Sequence, residues 1–158
     1  METISFKNCF NSGDQIYSLP GIQHICEERN MKADIYMWLD KDGRYYPGAV
    51  HPTVDERGVN VCVNQKGFDM VKPLIEAQEY VHSFVKYEGQ PIDLNFDVIR
   101  GQTDVGMPQG LLATWIFYAY PDLACDISKP WMFIPDKCPK HILKQVKGYR
   151  FGRGTKER

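Results

Sequence analysis

A chain of 158 residues suits one domain and is long enough to bury a core of its own. Its 43% hydrophobic and 25% charged content is that of an ordinary globular protein and excludes a disordered or fibrous chain. Net charge is −1, unevenly spread: residues 140–158 carry seven Lys/Arg against one acid, a net of +6, and residues 1–139 a net of −7.

The charge split separates a domain over 1–139 from a basic tail over 140–158. A basic tail can touch nucleic acid or an anionic surface. A solvated terminal segment, or a connector cut off from something that once followed, is the plainer reading, so nucleic acid is not the expected partner. The five cysteines (Cys9, Cys26, Cys62, Cys125, Cys138) are odd in number, and no two have CxxC spacing. They read as free thiols in a reducing cytoplasm and disfavour both a disulfide framework and a zinc site. The N-terminus has no apolar signal region, and the longest apolar run, Leu111 to Tyr120, is too short to span a bilayer. A cytoplasmic protein without a membrane span is expected.

Residues 2–8 alternate enough for a strand. Residues 14–29 read as a helix, with Ile16, Leu19, Ile22 and Ile25 at helical spacing. Either Pro20 kinks that helix, or the regular helix starts there. Ala33 to Leu39 is a second strand, and Asp40 to Gly43 a turn. Tyr45 to Val50 and Val59 to Val63 are short β-like runs in an irregular excursion. Phe68, Val71, Leu74, Ile75 and Val81 mark a helix over about 69–80, with Asp69 as N-cap and Pro73 near the first turn. Ser83 to Tyr87 is a short strand.

Ile92 to Val98 alternates strictly, with Ile92, Leu94, Phe96 and Val98 on one face and Asp93, Asn95 and Asp97 on the other. The polar face reads as the solvent side of an edge strand. On a central strand it would have to meet polar partners, with Arg100 the nearest candidate. Gln109 to Tyr120 is a helix that Pro121 ends, with Trp115 reading as core. Ile142 to Val146 could start one more short element. Strands alternating with helices predict an α/β domain of three layers, Rossmann-like, around a largely parallel sheet, with helices on both faces.

Asn11-Ser12-Gly13-Asp14-Gln15, between the first strand and the first helix, is the most informative stretch. A glycine, an acid and a helix start at the carboxyl end of a strand form a ready-made site. Asp14 there could act as a general base on a hydroxyl. Taken alone, it reads first as a helix N-terminal acid stabilised by the macrodipole. Only Gly13 precedes Gly21, so this is not a dinucleotide fingerprint, and no Walker loop follows. No nucleotide cofactor is expected. The four histidines are scattered without HExxH context, so no metal is expected, and no Gly-x-Ser-x-Gly elbow occurs.

Gly13-Asp14-x-Ile16-x-x-Leu19-Pro20 resembles a motif of the heptosyltransferase-like glycosyltransferases, glycosyltransferase family 9, and of a related group in phage and bacterial genomes. Lys72 to Val81, Ile92 to Arg100 and Lys129-Pro130-Trp131 are similar to that group in the same order. The resemblance implies one lobe of a GT-B fold, in which two Rossmann-like lobes flank a cleft and sugar transfer needs no metal. It places the acceptor sugar or glycan on this lobe and the nucleotide-sugar on a second. It makes Asp14 the base that deprotonates the acceptor hydroxyl, and Ser12, Gly13, Gln15, Asp97 and Arg100 the expected substrate contacts.

Such an enzyme needs about two domains, and the similarity covers only the acceptor-side lobe. The chain is therefore expected to be incomplete as a transferase, a truncated product or a half that works with a partner. One rival is a non-catalytic binding or assembly module that keeps the Rossmann-like fold. The other is a small enzyme that completes its site as a homodimer.

Overall fold

Strand β1 (Thr3–Asn8) opens the fold, followed by helix α1 (Ser12–Arg29) and strand β2 (Lys32–Met37). The computed structural model describes residues 2–43, 53–101 and 110–134. Helix α2 (Gln65–Glu76) leads to β3 (Val81–Lys86), then β4 (Leu94–Asn95) and the single turn α3 (Val98–Gly101). Helix α4 (Trp115–Ala119) sits between two 3-10 turns, Leu112–Thr114 and Pro121–Leu123. The expected run Tyr45 to Val50, the element at Ile142 to Val146 and the basic tail 140–158 lie outside the described residues.

The four strands are all parallel, in the order β3-β2-β1-β4. The predicted α/β class with a parallel sheet is what the protein has. Burial alternates along the strands. Phe6, Ile35 and Phe84 share one row across the sheet and are fully buried. Phe68 of α2 stacks on Phe84 at 4.8 Å, and Gln15 of α1 reaches Asn8. Both crossover helices therefore cover the same face. This follows from topology, because β1, β2 and β3 step across the sheet in one direction and right-handed crossovers then fall on one side.

The other face carries Ser5, Lys7, Asp34, Tyr36, Ser83 and Val85, and no helix among the described residues covers it. The expectation of helices on both faces is not met within this region. The connection that would supply the opposite layer, residues 87–93, holds no helix. It crosses the open face instead, with the Tyr87 ring 5.0 Å from Lys7 Nζ and Asp93 bonded to Ser5. At the other end of this face a register shift between Ala33 and Asp34 lets His82 and Ser83 both reach the Asp34 carboxylate, at 2.8 and 2.5 Å.

Three boundaries differ from the sequence expectation. Helix α1 starts at Ser12 and runs through Pro20, so the helix does not begin at the proline. It ends at Asn30, whose positive φ of 51° makes the left-handed cap. Gly21 lets α4 approach α1, since a Cβ there would lie 2.6 Å from Ile116 Cδ1. Helix α2 starts a turn earlier than expected, because Asn64 and not Asp69 is the cap, accepting from Gly67 N at 3.0 Å. The expected helix over 109–120 is broken into short turns, and Gln109 lies outside the described residues.

The alternating run Ile92 to Val98 shortens to a two-residue edge strand. Its polar residues are not a uniform solvent face. Asp93 is exposed and stapled to β1: Oδ2 accepts from Ser5 N at 2.8 Å and Ser5 Oγ at 2.7 Å, and Asp93 N donates back to Ser5. Those bonds, the backbone one first, hold its carboxyl below the usual range. A carboxyl depressed on folding stabilises the fold above its unfolded pKa of about 3.9, and the contribution is lost as pH falls through the lower folded value. Urea midpoints of wild type and Asp93→Asn are expected to differ at pH 7 and to converge below about pH 3. A gap that persists unchanged at low pH would contradict the staple.

Candidate functional site

In an open parallel sheet, ligands bind outside the carboxyl ends of the strands where the strand order reverses. Here the order reverses between β1 and β4. Cys9, Phe10 and the start of α1 leave β1 at that point, and Asp97 leaves β4 beside them.

Asp97 organises this edge. Its Oδ1 accepts from Cys9 N at 2.7 Å, which prolongs the β1–β4 ladder after β4 has ended. Its Oδ2 receives Lys7 Nζ at 2.8 Å and faces Lys41 Nζ at 3.9 Å. The Lys7 and Asp97 side chains are both 8% exposed. Lys7 Nζ also lies 4.4 Å from the Trp38 ring, and Lys41 Nζ 4.8 Å from the same ring. The expected reading of Asp97 as solvent-facing is thus overturned. Its anticipated partner was Arg100, whose side chain lies outside what is described; the partners found are Lys7, Lys41 and the Cys9 amide.

Gln15 is also inside, at 1% exposed. Its side-chain amide donates to Asn8 Oδ1, to Phe10 O at 3.3 Å and to Met37 Sδ at 3.1 Å. It fixes the turn between β1 and α1 and is not placed to touch a ligand, contrary to expectation.

Asp14, Ser12 and Gly13 sit in the first turn of α1 and divide between two openings. Ser12 and Gly13, with Ile16 and Tyr17, line a cavity of about 490 Å³. Met70 and Val71 of α2 form a second wall, and Ile127 to Met132 with Ile134 a third. Its lining is mostly apolar, with Ser12, Tyr17, Ser128 and Lys129 supplying the polar atoms. That size suits a small-molecule ligand. The third wall is tied down by Gln78, which is buried and acts as a clip: Oε1 accepts from Phe133 N at 2.7 Å, and Nε2 donates to Phe133 O at 2.8 Å. Tyr80 adds a hydroxyl bond to Trp131 O at 3.4 Å, its phenol pushed up by burial and so held as a donor.

Asp14 is half-buried and turns to the other side of α1. It lines a dent of about 30 Å³ with Phe10, Ser18, Leu112 and Trp115, room for about one water molecule. Trp115 Nε1 is buried and has no hydrogen-bond acceptor among the described residues. Tyr17 lines both openings and joins them across one turn of α1. Gln78, Tyr80, Lys7 and Lys41 were not singled out from the sequence. Lys7 sits on the polar row of an alternating strand, and its role shows only once β4 is placed beside β1.

No group of three or more metal-ligating side chains occurs among the described residues. No helix among them is long and apolar enough to cross a membrane. Comparison with known proteins gives no match to a family model, to a curated protein or to a solved structure.

Breaking a buried ion pair from one side leaves an unpaired charge and costs about 3–5 kcal/mol. Asp97→Ala is expected to lose stability of that order in urea denaturation, with the double variant Lys7→Met/Asp97→Ala recovering part of it. A loss under about 1 kcal/mol would show that the pair does not organise the edge.

Proposed function

We propose that this domain is the acceptor-side lobe of a heptosyltransferase-like glycosyltransferase, with Asp14 as the base. The observation that carries the reading is convergence. Of the four stretches that resemble the family, Gly13 to Pro20 and Lys129 to Trp131 face each other across one cavity. Lys72 to Val81 supplies Gln78 and Tyr80, which hold that cavity's third wall. Ile92 to Arg100 supplies Asp97, which fixes the end of β1 from which α1 departs. Stretches far apart in sequence thus meet around one cavity and the β1 end beside it.

In this reading the acceptor sugar lies across the start of α1, over Tyr17, with one hydroxyl at the Asp14 dent. Asp14 takes the hydroxyl proton as the oxygen attacks the anomeric carbon of the donor. The C–O bond to the nucleotide diphosphate breaks with inversion, and the leaving group departs toward a site that a second lobe or a partner chain supplies. Trp115 Nε1–H, which no described residue accepts, offers a donor to an oxygen entering the dent.

A missing general base costs about 10²–10⁴-fold in rate. In a preparation that transfers sugar, Asp14→Asn is expected to lower kcat by that factor with little change in acceptor KM. Binding read separately, by amide NMR with a panel of mono- and oligosaccharides, is expected to move the signals of Ser12 to Tyr17 and Ser128 to Trp131. Unchanged kcat in the variant, with saccharide signals moving elsewhere, would favour the non-catalytic binding module instead.

A further inference from the structure

The large cavity beside α1 is built for a ligand less polar than a sugar. It measures about 490 Å³, and Ile16, Met70, Val71, Trp131, Met132 and Ile134 supply most of its apolar walls. A sugar carries hydroxyls around its whole rim, and each one buried without a partner costs free energy. Only four of the thirteen described lining residues have a polar side chain, too few to partner a full ring of hydroxyls.

A ring of carbon meets the opposite conditions. Ile16, Met70, Trp131, Met132 and Ile134 are each half-buried, so each has apolar surface left to cover. Water against such walls finds few partners, and an apolar group that displaces it gains affinity. The Trp131 indole and the thioethers of Met70 and Met132 favour an aromatic partner over an alkyl chain. The wall with Trp131, Met132 and Ile134 is also fixed in advance. Buried Gln78 holds Phe133 by both its N–H and its carbonyl, at 2.7 and 2.8 Å. A pocket organised before binding loses little freedom when it fills.

We propose that this cavity binds an aromatic ring system, carried as the aglycone of the acceptor, while the sugar stays outside it over Tyr17. Tyr17 lines both the cavity and the Asp14 dent, so the two parts of the ligand join there. The link from ring to sugar rests on the acceptor reading; the preference of the cavity for a ring does not.

The test uses the full chain with its methionine methyl groups labelled with carbon-13. Of the six methionines, Met70 and Met132 line the cavity, and Met37 is buried in the core and does not line it. The signals are assigned with Met70→Leu and Met132→Leu. Titration with β-naphthol is expected to move the Met70 and Met132 signals by ring current and to leave Met37 in place. Naphthyl glucoside is expected to give the same shifts and to bind about tenfold or more tighter than methyl glucoside, the difference being the buried ring. A Cβ at Gly13 meets no described atom within 4 Å, so a larger side chain there has room to enter the cavity. Gly13→Leu is therefore expected to weaken naphthol binding about tenfold or more, and as a better helix former it leaves the fold intact.

Met70 and Met132 signals that stay in place up to the solubility limit of naphthol would overturn the proposal. So would methyl glucoside displacing naphthol from the cavity, or octyl glucoside binding more tightly than naphthyl glucoside. Naphthol bound as tightly as its glucoside, with no shift at Asp14, would support the ring site and count against the acceptor reading instead.

Discussion

The carboxylate of Asp97 holds the working edge of this domain together. Strand β4 pairs with β1 over two residues only. Left there, the ends of the two strands would separate at the point where the chain must launch α1. Asp97 prevents this by accepting the Cys9 amide where the next ladder bond would fall. The same carboxylate neutralises Lys7, a cation that β1 would otherwise bury without a counter-charge. Lys41 and the Trp38 ring complete the shell. The direction in which α1 leaves, and so the position of Ser12, Gly13 and Asp14, depends on this interaction.

The sheet is two-sided in chemistry as well as in packing. One face is apolar and carries α1 and α2. The other is polar and is crossed by the 87–93 segment, which returns the chain from one edge of the sheet to the other. That return creates the reversal of strand order, and with it the crevice. The candidate site is on the helix-covered side of the crevice, where the α1 start meets α2 and residues 127–134.

Much of this was legible in the sequence, and what was missed has a physical cause. β1, β2 and β3 were readable because apolar residues recur at the sheet period, and the parallel sheet followed from the order of elements. That a helix follows β1 directly was readable from Ile16, Leu19, Ile22 and Ile25, although α1 starts at Ser12 and so takes in Gly13 and Asp14. Asp97 was misread because alternation reports which way a side chain points and not whether a cation waits there. Its partner Lys7 is 90 residues away. Gln15 was misread for a similar reason: its amide is consumed by Asn8, Phe10 and Met37, which only the folded turn assembles. The start of α2 was placed one turn late because only Asp69 was read as the cap; Asn64 caps the helix instead, and the turn it adds carries Phe68 onto Phe84.

The account rests on Asp14 facing a bound sugar from the first turn of α1. A crystal structure of the domain with a saccharide bound tests this most directly. The predicted result is one sugar hydroxyl about 2.6–3.2 Å from the Asp14 carboxylate, with the ring over Tyr17. A saccharide seated in the crystal on the open face of the sheet, or with no hydroxyl in hydrogen-bond reach of Asp14, would contradict it.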